Sequence, residues 1–270
     1  MEAQGVEGRK RGLSGSTLKI IAMITMLIDH IGAAVIERGF LFDRLHAEGM
    51  RLNFPMIRDN FSALSPALQQ SLMADGVLRL IGRIAFPIFC FLLVEGFIHT
   101  RSKARYAGRL LVVALLSEIP FDYAIYGGEN IWGHQNVLWT LLFGLLGLWA
   151  WEGARDLSRR HFKRDIGVLG FLAAVPFMVL AEFCHTDYGA FGVILIAILY
   201  IPLAGHVKKA RLAQSLSGAL CVAFEFTAPL AFVLTYFYNG RRGLDIKWLF
   251  YFFYPVHLAI LYGIRVLFIT

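Results

Sequence analysis

Three cysteines, Cys90, Cys184 and Cys221, are all that the 270 residues contain, and they lie far apart. Neither a disulfide framework nor a metal-binding spacing can be built from them. Two fall inside apolar runs, where buried, inert thiols belong. A G-x-S-x-G nucleophile elbow, a phosphate-binding P-loop, an H-E-x-x-H motif and a zinc pattern are all missing as well. With no serine or cysteine nucleophile in sight, any chemistry must come from a base and electrostatics, with no metal. No internal repeat or low-complexity tract stands out. A basic patch, Arg9-Lys10-Arg11, precedes an apolar run too long for a signal peptide and without an A-x-A site, so that run reads as an uncleaved first helix.

What is present is overwhelmingly apolar. The chain is 57% hydrophobic with a mean hydropathy of +0.61, against roughly 45–50% apolar in soluble domains. Eight runs approach the roughly 20 residues that cross a hydrocarbon core as helix: about 18–40, 77–99, 106–125, 136–153, 166–183, 188–205, 213–237 and 248–268. The expected fold class is therefore all-α, a polytopic integral membrane helix bundle of 8–9 transmembrane helices. Residues 1–17 form a basic cytoplasmic tail, 18–270 a single membrane domain, and 41–76 the only sizeable loop, polar and extracytoplasmic.

Net charge is +7, yet the basic residues sit in short loops between apolar runs, which orients a membrane protein and does not mark nucleic-acid binding. Fifteen Lys and Arg fall on the face of the N-terminus, against Arg44, Arg51 and Arg58 on the other. The N-terminus is thus expected in the cytoplasm. Loop 239–247, with Arg241, Arg242 and Lys247, breaks the rule if there are eight spans. It obeys the rule if 210–239 is two short helices turning near Phe226-Thr227, although each half is short for a bilayer. Eight and nine spans both stay open.

Ionisable residues inside these runs are costly, by a few kcal/mol each, so each asks for a reason. Lys19 and His30 are eleven residues apart, three turns and about 20°, which puts them on one helix face about 16 Å apart with Met23 and Met26 between. Asp29 lies to the side, and Gly32, Ala33 and Ala34 allow a neighbouring helix to come close. Lys19 alone also fits a snorkelling anchor, and His30 a satisfied structural histidine. The second span carries Arg79 and Arg83 one turn apart, then Glu95 and His99 one turn apart. The third carries Glu118 and Asp122 around Pro120. By depth, Arg79 and Arg83 can meet Asp29, Glu118 and Asp122, since buried charges must be paired; a purely structural ion-pair knot is the plainer alternative. Gln135-Asn136, Glu182, His185, Asp187 and Glu225 are thinner candidates. His257 either lines a cavity or is a core histidine tied to a carbonyl.

The strings LKIIAMITMLIDHIG, RLIGRIAFPIFCFLLVEGFIHTRS, SEIPFD, NVLWTLLFGL, YNGRRG and FYPVHL resemble the TraX family, in the same order and over nearly the whole chain after residue 17. That family is similar in concept to acyltransferase family 3 and to heparan glucosaminide acetyltransferase, in which a basic residue of the first span precedes a catalytic histidine by eleven positions. Lys19 and His30 match that spacing. The resemblance implies acetyl transfer from cytoplasmic acetyl-CoA to an acceptor on the opposite face of a bacterial inner membrane, the acceptor in conjugation being the pilin amino terminus.

The residues are compatible with this chemistry. A thioester needs a deprotonated nucleophile and stabilisation of the oxyanion. His30 is the expected base, and Asp29 the group that fixes its tautomer, directly or through a helix neighbour. Arg83 is a candidate to balance that carboxylate or the oxyanion. Arg101, Lys103 and Arg105, with Lys19 at the mouth, could receive the phosphates of coenzyme A. Direct transfer in a ternary complex is simpler than an acetyl-histidine intermediate. Expected partners are membrane lipid, acetyl-CoA and an acceptor amine or hydroxyl, a protein N-terminus or a glycan, with oligomeric state open. Two other classes compete: a small secondary transporter, disfavoured by the lack of repeats, and a non-catalytic membrane assembly factor.

Overall fold

The computed structural model describes residues 12–49, 54–128, 132–205 and 207–269. Arg9, Lys10, Arg11 and Arg51 lie outside the described residues, as do most of the basic tail and part of the polar segment. Every regular element among the described residues is helical, apart from two isolated bridges, Leu13 to Tyr238 and Gln135 to Thr186.

The first two long helices are α1 (Gly15–Ala47) and α3 (Pro66–His99), with the short α2 (Phe54–Asn60) between them. There follow α4 (Lys103–Phe121), continued by a π-wound turn Asp122–Tyr126, and α5 (Val137–Phe162). Next come α6 (Gly167–Phe183), α7 (Gly189–Ala204), the short pair α8 (Ala210–Cys221) and α9 (Leu230–Tyr236), and finally α10 (Lys247–Phe268). Four of them, α1, α3, α5 and α10, are long and apolar enough to cross a membrane, and α6 and α7 are shorter apolar helices. The chain is a helical membrane protein.

Helix starts follow the local chemistry. Ser14, Ser102 and Asn136 each accept a bond from a first-turn N–H, and Ser65 does so ahead of Pro66. Such caps are worth about 1 kcal/mol each, and proline fits a first turn that has no use for its N–H.

Two regions differ from a simple reading of the apolar runs. Much of 41–76 is helical, because α1 continues to Ala47 and α3 starts at Pro66. Leu41, Leu45, Leu64 and Leu68 hold it together as a small separate core. Helical spacing of a few leucines among Asp, Asn and Ser is the cause. The second region is 210–236. Thr227 Oγ1, in the turn between α8 and α9, donates to the carbonyl of Leu80 halfway along α3. At the other end, Arg211 pairs with Glu95 at 2.9 Å, while Leu13 N donates to Phe237 O and Gly15 N to Arg241 O. Both ends of this hairpin therefore lie where α1 begins and α3 ends. At 1.5 Å per residue, α8 and α9 are about 18 and 10 Å long, too short to cross a core of about 30 Å.

Close contact of α1 with α3 sets up the site. A Cβ on Gly82 would stand 2.1 Å from Asp29 Oδ1 and 2.2 Å from its Cβ; one on Gly32 would stand 2.8 Å from Asp75 Oδ1. Gly82→Ala is expected to force the two helices apart, with a loss of about 1–3 kcal/mol. It should show as a lower midpoint of thermal unfolding in detergent; an unchanged midpoint would contradict so tight an approach.

Candidate functional site

His30 lies in the last turn of the regular part of α1, which ends at Ile31, and the next ten residues, Gly32–Leu41, are wound as π-helix, a form often found at functional positions. His257 comes from α10. The two rings meet with His30 Nδ1 2.6 Å from His257 Nε2 and their planes 8° apart. On the far side, His257 Nδ1 lies 2.7 Å from the carbonyl oxygen of Phe253. A carbonyl can only accept, so His257 Nδ1 carries a proton. In the neutral pair His257 Nε2 is then the acceptor and His30 Nδ1 the donor. His30 Nε2 is left with a free lone pair. Both rings are buried, at 9% and 5% exposed.

Two cavities approach this pair from opposite ends of the bundle. A cleft of about 510 Å³ at the end of the bundle where α1 begins, called inner only for that place in the bundle, opens among Lys19, Arg109, Arg242 and Lys247 and ends at Met26, Val137 and Tyr254. Met26 is one turn before His30, and Tyr254 three residues before His257. An outer vestibule of about 740 Å³ is lined by His30, Asp29, Glu37, Arg79, Arg83 and Glu225, with Tyr126, His134, Glu182, His185 and Asp187 around it. Lys19, Met23 and Met26 all face the inner cleft, the stripe given by their spacing, and Lys19 Nζ sits 5.0 Å above the Phe250 ring.

Of the pairings expected by depth, that of Arg79 with Asp29 forms and the others do not. Asp29 is turned to Arg79, Oδ2 to Nη1 at 2.5 Å, and Arg79 Nε reaches Glu37 at 3.3 Å. The tautomer of His30 is thus set by His257 and not by Asp29. Arg83 pairs with Glu225 at 3.5 Å. Neither arginine bonds Glu118 or Asp122, which are fully buried. Glu118 accepts instead from Asn136 Nδ2 at 2.5 Å and Trp139 Nε1 at 2.8 Å, and Asp122 from the Trp132 N–H at 3.1 Å. Glu95 and His99 line the inner cleft, His99 Nδ1 donating to the Glu95 carbonyl at 2.8 Å.

Arg101, Lys103 and Arg105 are not in the cleft lining, and Lys103 is paired with Glu152. The cations at the mouth besides Lys19 come from α4 (Arg109) and the 239–247 stretch (Arg242, Lys247). Sequence reasoning marked that stretch as an orientation problem and, in YNGRRG, as one of the family strings, but not as part of the cleft. It also missed Glu37, Arg211 and Tyr254; for Tyr254 the signal was its place one turn before His257. Among the described residues no group of three His, Cys, Asp or Glu is placed to hold a metal ion.

Outside the membrane helices, the α5–α6 turn is tied by a carboxylate clamp. Arg155 and Arg159 hydrogen-bond Asp165 and hold its carboxyl well below the usual range. The clamp therefore stabilises the turn above the ordinary carboxylate pKa and is lost only as the pH falls below it.

The structure is thus a membrane helix bundle with a buried histidine pair between two cavities of unlike polarity. The family model described as TraX protein matches residues 14–265, and the chain belongs to the TraX family. It is also similar to a protein of Dichelobacter nodosus named probable fimbrial assembly protein FimC, serogroup H1. The two are 30% identical over 214 residues, covering 68% of this chain and 81% of that one. No solved structure matches.

Proposed function

We propose that this chain is a transmembrane acetyltransferase of the bacterial cytoplasmic membrane that takes acetyl from cytoplasmic acetyl-CoA and delivers it to an amine or hydroxyl at the opposite face. The observation that carries the reading is the approach of two cavities, one from each end, to a single histidine pair in which His30 Nε2 keeps a free lone pair. Multi-pass topology with a cytoplasmic N-terminus is supported by the basic 239–247 stretch, which joins the end where α1 begins. The excess of Lys and Arg then lies on one side, with α8–α9 a re-entrant hairpin from that side in place of two full passages.

The inner cleft suits the donor. Its cationic mouth can take the phosphates of coenzyme A as charge-assisted partners, and its apolar walls can take the pantetheine arm. In the transfer step His30 Nε2 removes the proton from the acceptor as the acceptor nitrogen or oxygen bonds to the thioester carbonyl carbon. The carbon–sulfur bond then breaks, and the thiolate takes up the proton held by His30. His257 receives the His30 Nδ1–H throughout, which fixes the ring and spreads the charge of the imidazolium. The outer vestibule, with Asp29–Arg79–Glu37 and Arg83–Glu225, is the acceptor side. The relative's name makes a pilus subunit the first acceptor to try, at its amino terminus or an attached glycan.

Purified protein should transfer or hydrolyse acetyl from labelled acetyl-CoA. The double substitution Lys19→Ala with Arg242→Ala should raise the KM for acetyl-CoA by tenfold or so, about 1.4 kcal/mol of lost uniform binding, and spare the acceptor KM. The reverse pattern would contradict the donor side. A protein that never touches the thioester would be left to the transporter or assembly-factor readings.

A further inference from the structure

We propose that Tyr254 is a catalytic residue of the acyl-transfer step, its hydroxyl donating to the carbonyl oxygen of the bound acyl group as that oxygen becomes an oxyanion. The proposal rests on the acetyltransferase reading and adds the group that stabilises the transition state.

Tyr254 is 4% exposed; the backbone N–H of Val137 approaches its oxygen, but among the described residues the O–H finds no acceptor. A buried O–H without an acceptor is unfavourable, and phenylalanine would fill the same space without that cost. The residue lines the deep end of the inner cleft with Met26 and Val137. Its ring stands edge-on to both histidines, with centroids 5.8 Å from His30 and 5.7 Å from His257. It therefore sits between the place where an acyl group entering by the cleft would stop and the base that faces the vestibule.

Other donors around this junction are engaged. His30 Nδ1–H is given to His257, Asn136 Nδ2 to Ala114 O and Glu118, Trp139 Nε1 to Glu118, and Thr140 Oγ1 to Thr186. The Val137 N–H lies on the lone-pair side of the Tyr254 oxygen, and the Tyr254 O–H itself has no acceptor among the described residues. When the nucleophile adds to the carbonyl carbon, the π electrons move to oxygen, and this O–H takes up the new charge as a hydrogen bond. When the carbon–sulfur bond breaks they return, and the hydroxyl ends the cycle with its proton. A donor pre-placed in a site that excludes water acts on the transition state far more than on the bound thioester.

The test is Tyr254→Phe in the full-length protein in lipid nanodiscs, with acetyl-CoA as donor, hydroxylamine as a small acceptor, and release of coenzyme A thiol as the readout. The expected result is a kcat lower by about 100-fold, a KM for acetyl-CoA within about twofold of wild type, and a thermal midpoint unchanged or raised. A kcat within about twofold of wild type, or a loss confined to KM, would overturn the proposal. His30→Ala run beside it separates the levels. An inactive His30 variant with an active Tyr254→Phe removes only the role of the tyrosine, whereas activity in both removes the acetyltransferase reading. Wild-type protein that releases no thiol removes both.

Discussion

His30→Ala is expected to lower acetyl transfer from acetyl-CoA by about 10²- to 10⁴-fold, the range of a lost general base, with the helical bundle intact. The side chain is small relative to the interface it occupies, and α1 is held elsewhere by its Ser14 cap and by tight packing on Gly82. The stability loss should be modest, about 1–3 kcal/mol, because His257 Nε2 loses its donor in a buried place. Acetyl-CoA affinity should hardly change, since the cleft lining stops at Met26. Turnover of labelled acetyl-CoA and binding of coenzyme A, measured on the same sample, distinguish this from misfolding. A variant that binds and still transfers at the wild-type rate would end the proposed chemistry.

Substitution of His257 should come next in size. His257→Phe removes the acceptor of the His30 Nδ1 proton, so the proton is free to move to Nε2 and the base is lost in the wrong tautomer. Defects of that kind reach about 10⁴-fold in a related arrangement, and 10²-fold or more is expected here. His257→Gln offers a carbonyl oxygen at a similar reach and should recover part of the rate. Kinetics of the three proteins should fall in the order wild type, Gln, Phe, with the loss in kcat. Equal activity of Gln and Phe variants would mean that His257 acts by packing alone, its ring being stacked on Phe253 at 4.7 Å.

Much of the fold was legible because the bilayer imposes length. Runs 106–125, 166–183, 188–205 and 248–268 became helices with ends close to those read from the sequence. Runs 18–40, 77–99 and 136–153 instead belong to longer helices reaching Ala47, Pro66 and Phe162, and 213–237 became two short ones. Segment 41–76 was less legible, since its few leucines are outnumbered by polar residues that in isolation read as loop. Hairpin 210–236 was legible through charge: three cations at 241–247 were incompatible with an odd number of preceding crossings, and Phe226-Thr227 does mark its turn.

Within the site, features carried by one helix were readable and pairings between helices were not. Lys19, Met23 and Met26 share a face because 3.6 residues make a turn, and that is intrinsic to α1. Which carboxylate meets Arg79 depends on how α1 and α3 are rotated about each other, and the contact of Gly82 with Asp29 decides it. Glu118 and Asp122 were expected to need arginines, but Asn136, Trp139 and the Trp132 N–H supply neutral donors instead. His257 is 227 positions from His30, and no local pattern links two rings at that separation.

The most direct test of the central claim is a cryo-EM structure of the protein with a non-transferable acetyl-CoA analogue. The account predicts the nucleotide phosphates among Lys19, Arg242 and Lys247, the arm running past Met23, and the acyl carbon beside Tyr254 within reach of a nucleophile at His30 Nε2. An analogue lodged in the outer vestibule, or one whose acyl end stops far from the two rings, would contradict it.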